Sequence, residues 1–158
     1  MSTICTHDNC LSSYSGKASR IGIYAPETAF ETFVSALDIL RGHAVEYYDL
    51  VEGHTRLIRL GEKNLSDLRS KTITISEKSF KRGYVPTAVM LVHEASHLYL
   101  FKQGICLDDE EQWCLEKEAD CIGALGPEFY DKLKLGFDYE REKYLGMRIL
   151  DRTLMGYI

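Results

Sequence analysis

Hydrophobic and polar positions divide the chain into a polar leader, a helical stretch, a short-stranded stretch and a helical remainder. Residues 1 to 18, with Ser12, Ser13, Ser15 and Gly16, read as a loose leader. Arg20–Ala25 is a short apolar run that suits one strand. Pro26 stands where a helix would begin, and Phe30, Phe33, Val34, Leu37, Ile39 and Leu40 then recur at helical spacing. The pattern continues past Gly42 through Val45, Tyr48 and Leu50 to Val51, and Gly53 stops it. Thr55–Leu60 alternates loosely and Lys71–Ser76 is rich in β-branched residues, so two short strands are predicted, with Gly61, Asn64 and Ser66 in the loop between them. Pro86 opens a second helix that runs to Gln103, and Gly104 is well placed to end it. Asp108–Glu111 makes an acidic start for a third helix, which reaches Leu125 before Gly126-Pro127. Glu128–Ile158 reads as one or two further helices. Helix, short strands, then helices: the fold class is α+β.

Composition narrows the class without identifying it. The chain has 158 residues, 45% of them hydrophobic and 27% charged, as expected of one globular domain over residues 1–158. Its net charge of -5 argues against nucleic-acid and anionic-membrane partners, which favour a basic surface. No stretch approaches the roughly 20 apolar residues that cross a bilayer. Five cysteines, an odd number without paired zinc-ribbon spacing, read as free thiols in a reducing compartment. Cytoplasm is the expected location. An effector secreted without a Sec-type signal would look the same.

The chemistry lies in His93-Glu94-Ala95-Ser96-His97, an H-E-x-x-H on the second helix. Residues four apart sit one turn apart on the same face, so both imidazoles can point at one ion. Glu94 projects beside them, within reach of a water on that ion. The rest of Ala88–Phe101 is Ala, Val, Met, Leu, Ser, Tyr and Phe, a composition that suits burial, and an unpaired carboxylate there would cost several kcal/mol. A catalytic zinc takes three protein ligands. The third helix offers Glu116-Lys117-Glu118-Ala119-Asp120, in which Glu116 and Asp120 share a face and Glu118 points away from both. Glu116 is the expected third ligand and Glu118 its rival. Asp120 would then accept the second ring N–H of a ligating histidine.

An H-E-x-x-H followed about twenty residues later by E-x-x-x-D resembles the gluzincin clan of zinc metallopeptidases, and E-K-E-A-D is similar to the E-x-x-A-D of its small members. The resemblance implies a zincin-like order of backing helix (Glu27–Val51), small sheet (Thr55–Ser76), active-site helix (Pro86–Gln103), glutamate helix (Asp109–Leu125) and C-terminal helices. By that likeness one Zn²⁺ is held by His93, His97 and Glu116, with Glu94 as catalytic acid/base and Asp120 as the partner behind a histidine. It also implies a peptide or protein substrate, hydrolysed by metal-activated water and paired to an edge strand, for which Lys71–Ser76 is the segment in position. Larger clan members add a C-terminal subdomain that supplies a Tyr or His to the oxyanion. Here Tyr130, Tyr139, Tyr144, Arg141 and Arg148 are the candidates. Two other readings keep the same residues: a zinc hydrolase or lyase for a small molecule, and an idle metal-binding module. An intact Glu94 speaks against the last.

Overall fold

A computed structural model describes residues 4–6, 9–13 and 21–133. The described chain is mixed α+β. Six strands form one sheet: β1 (Ile4–Thr6), β2 (Asn9–Ser13), β3 (Gly22–Ala25), β4 (Leu57–Gly61), β5 (Leu65–Asp67) and β6 (Thr72–Ser76). Their order is β1-β2-β3-β4-β6-β5. Strands β3, β4 and β6 run parallel, whereas β1, β2 and β5 each pair antiparallel with a neighbour.

Two expectations are corrected here. Residues 4–6 and 9–13, read as part of a loose leader, form strands that extend the sheet beyond β3. Main-chain pairing of β1 with β2 and of β2 with β3 supplies their partners, and side-chain pattern carries no trace of that. The Lys71–Ser76 segment, expected at the sheet edge, lies inside it. Strand β6 is paired with β4 on one side and β5 on the other, and Ile73 and Ile75 are fully buried. Among the described strands the edge on that side is β5, from the stretch read as loop. Its turn to β6 is held by the Asp67 carboxylate, which accepts from the main-chain N–H groups of Ser70 at 3.0 Å and Arg69 at 3.1 Å. The Ser70 hydrogen bonds hold the Asp67 carboxyl below the usual range.

The crossover from β3 to β4 is α1 (Phe30–His43) and α2 (Val45–His54). The single helix expected across Glu27–Val51 breaks at Ala44, whose φ of -142° and ψ of 57° are not helical. Ala44 is buried, so packing rather than the nearby Gly42 places the break. A short helix α3 (Glu77–Phe80) is capped by the Ser76 hydroxyl, which accepts from Ser79 N at 3.1 Å.

Helix α4 (Tyr84–Gln103) is the centre of the molecule. It packs against α1, α2, α3, α5 (Glu110–Leu125), α6 (Tyr130–Leu133) and strands β5 and β6. Fourteen of its twenty residues are buried, which is what an almost uniformly apolar helix requires. It starts two residues before Pro86, which therefore sits in the first turn, where the missing N–H is not needed. Gly104 ends it in the left-handed region at φ 67°, as expected of a C-cap glycine. Helix α5 starts at the Asp109 cap, whose carboxylate accepts from Gln112 N at 3.0 Å.

Phe33 on α1 is fully buried, and its ring centroid lies 5.2 Å from that of Phe80. Phe33→Ala is expected to lower unfolding free energy by about 3–5 kcal/mol, measured by urea denaturation, through lost burial and a residual cavity.

Candidate metal centre

His93, Glu94 and His97 occupy the middle of α4, where α5 crosses it. His93 is 2% exposed and Glu94 6%. The two imidazole centroids lie 5.1 Å apart, on one face of the helix as the four-residue spacing dictates.

Each imidazole has a carboxylate behind it. His93 Nδ1 is 2.6 Å from Glu118 Oε1, and Glu118 is completely buried. His97 Nδ1 is 2.9 Å from Glu110 Oε1. With the proton on Nδ1, facing that carboxylate, Nε2 keeps its lone pair. Both Nε2 atoms then face a third carboxylate: Glu111 Oε1 is 2.9 Å from His97 Nε2, and Glu111 Oε2 is 3.3 Å from His93 Nε2. In that tautomer, two lone-pair nitrogens and a carboxylate at such distances repel one another unless a proton or a metal cation lies among them. Ligand atoms sharing one tetrahedral zinc at about 2.0–2.1 Å stand about 3.3 Å apart. This donor set therefore fits a divalent cation.

Cys114, buried one turn beyond Glu111, completes the group. Its Sγ and ligand nitrogens of His93 and His97 all lie within 4.8 Å of one another, so the three could hold a metal ion. Burial first, and then the charges of Glu111, Glu110, Glu94 and Glu118, push the Cys114 thiol far above its usual range. A bound cation reverses that order, because a coordinating thiol is deprotonated outright. Cys121, on the same stripe of α5, is raised by burial and by Glu118.

Glu94 is held from the sheet. The Ser66 hydroxyl, on edge strand β5, lies 2.9 Å from the Glu94 main-chain oxygen and is also in contact with Glu94 Oε2. Glu94, His97, Glu110, Glu111 and Ser66 line an open cavity of about 300 Å³. It offers a carboxylate, an imidazole face and the outer edge of a strand at one opening.

Helix rotation explains where the other expected residues stand. Positions 114, 118, 121, 122 and 125 form one buried stripe of α5. Glu116 is two residues from Glu118, about 200° around the axis, and lies outside the metal-capable group among the described residues. The carboxylate on His93 Nδ1 belongs to Glu118, two positions before Asp120. Tyr130 packs against the hydrophobic core, where burial raises its phenol. Tyr139, Arg141, Tyr144 and Arg148 lie outside the described residues.

Sequence reasoning missed Glu110, Glu111, Cys114 and Ser66. Glu110 and Glu111 read as ordinary dipole-favoured acids of a first turn. Glu118 did leave a signal, since it is the one acid on a stripe otherwise made of Cys114, Cys121, Ile122 and Leu125. No family model, curated protein or solved structure matches the chain.

Metal content by elemental analysis checks the donor set. If the site holds a divalent metal, His93→Ala and Cys114→Ser are expected to lose it, whereas Glu116→Ala is expected to keep it. Loss of zinc in Glu116→Ala alone would return the third ligand to position 116. Glu118→Gln is expected to weaken binding about 10–100-fold by releasing the His93 ring.

Proposed function

We propose that the chain is a zinc-dependent hydrolase of peptide or amide bonds, with Glu94 as general base. One observation carries this reading: two imidazoles on the stretch of helix that carries Glu94, each with a carboxylate at Nδ1, turn both Nε2 atoms to the single carboxylate of Glu111. A zinc ion held by His93, His97 and Cys114 would supply Lewis acidity, polarising a carbonyl and lowering the pKa of a water towards about 7.

The chain's own groups do the rest. Glu94 accepts the proton of the attacking water and passes it to the leaving nitrogen. Ser66 donates to one Glu94 oxygen, which orients the other for that transfer. Glu118 and Glu110 keep the imidazoles in the tautomer that presents Nε2. Glu111, with a side chain 64% exposed, stands at the mouth and is the carboxylate best able to swing towards solvent as substrate enters.

A peptide suits the site better than a small molecule because the cavity opens along β5. Among the described residues that strand pairs only with β6, so its other edge offers main-chain groups to an extended chain. The gluzincin resemblance points the same way, although Cys114 and Glu118 stand here in the relation first expected of Glu116 and Asp120.

Glu94→Gln separates this reading from an idle metal-binding module. The variant is expected to keep its zinc and its melting temperature and to lose at least about 10²-fold in kcat on any peptide the wild type cleaves. Unchanged turnover would remove Glu94 from the chemistry.

A further inference from the structure

A second cavity lies beyond Leu68, which lines both it and the cavity beside Glu94. Its volume is about 310 Å³, at the small end of the roughly 300–1,000 Å³ typical of ligand pockets. The two cavities differ in sign. The first is lined by Glu94, Glu110 and Glu111. The second is lined by Arg69, Lys71, Lys102 and His54, with no carboxylate among its lining residues. Three permanent cations gathered in this way stand out in a chain of net charge -5. Leu68, Leu98 and Phe101 supply an apolar wall, and Phe101 is 54% exposed.

The segment that presents these cations is built rather than loose. Asp67 directs its carboxylate to the main-chain N–H groups of Arg69 and Ser70, and the Ser70 hydroxyl bonds Thr72 Oγ1 at 3.0 Å. Lys71 adopts a positive φ of 56°, and it is the only non-glycine to do so among the described residues. A lysine in the left-handed region is strained, and Gly or Asn would hold the same turn with less cost. Its side chain is therefore explained by what it faces rather than by the turn.

We propose that this cavity is a subsite for an acidic side chain of a peptide substrate, its carboxylate held by Arg69, Lys71 and Lys102 and its stem against Leu68 and Phe101. This rests on the reading of the neighbouring cavity as the peptide site. The opposite signs of the two cavities set direction and selectivity: an acid is drawn past Leu68 and repelled from the Glu110–Glu111 mouth.

Binding, not turnover, tests it, so failure here is distinguishable from failure of the zinc hydrolase reading. The probes are N-acetylated, C-amidated alanine–leucine octapeptides with one Glu moved through each position, matched by Gln peptides. Titration of the full chain is followed by ¹⁵N–¹H shifts. At least one Glu peptide is expected to bind 10-fold or more tighter than its Gln match, with shifts at Leu68, Arg69, Lys71 and Phe101, and to weaken as salt rises. Lys71→Gly is expected to melt no lower than wild type yet to lose 5-fold or more of that preference, and Arg69→Gln to lose a similar factor. Equal binding of Glu and Gln peptides at every position would overturn the proposal, as would full preference in Lys71→Gly. An equal gain from a free C-terminal carboxylate on a peptide without Glu would overturn the side-chain assignment.

Discussion

Burying ionisable groups in an apolar helix is the constraint on which this molecule turns. Helix α4 is enclosed by helices and by the sheet, and at its middle it carries two imidazoles and a carboxylate. Such groups are tolerated in that position only with close partners, because removing charge from water costs several kcal/mol per ion. The partners arrive from two elements: Glu110, Glu111 and Glu118 from α5, with Glu111 across both Nε2 atoms, and Ser66 from β5. Helix α5 and strand β5 must dock where they do for these groups to meet their partners.

That arrangement concentrates negative charge. Glu94, Glu110, Glu111 and Glu118 surround two imidazoles, each with a carboxylate close to Nδ1. A divalent cation at the shared Nε2 point would balance this charge, and it would convert the buried Cys114 thiol from a silent core group into a ligand. Stability and metal affinity would then be coupled, because an ion bound only by the folded chain adds its binding free energy to folding.

The sheet contributes more than a platform. Strand β6 is sealed on both sides, while β5 is short, exposed at Leu65 and in contact with Glu94 through Ser66. The turn after β5 then carries Leu68, Arg69 and Lys71 away from the acidic cavity into the basic one. One short hairpin thus holds the proposed base and divides two regions of opposite charge.

Local pattern was enough for much of this. The α+β class, the spans of α4 and α5 to within a few residues, Gly104 as a helix end and the juxtaposition of His93, Glu94 and His97 all follow from periodicities within one element. Partnership between elements was not legible. Glu116 and Glu118 are alternatives that differ by about 200° of helix rotation, and only the docking of α5 on α4 selects the face that meets His93. The break at Ala44, the interior place of β6 and the pairing of residues 4–6 and 9–13 likewise depend on which surfaces meet. By itself the sequence determined which residues could share a face of one helix, because that follows from 3.6 residues per turn. Tertiary structure alone decided which carboxylates and which thiol stand opposite them, because hydrophobic burial sets the rotation of each helix and polar groups are carried along with it.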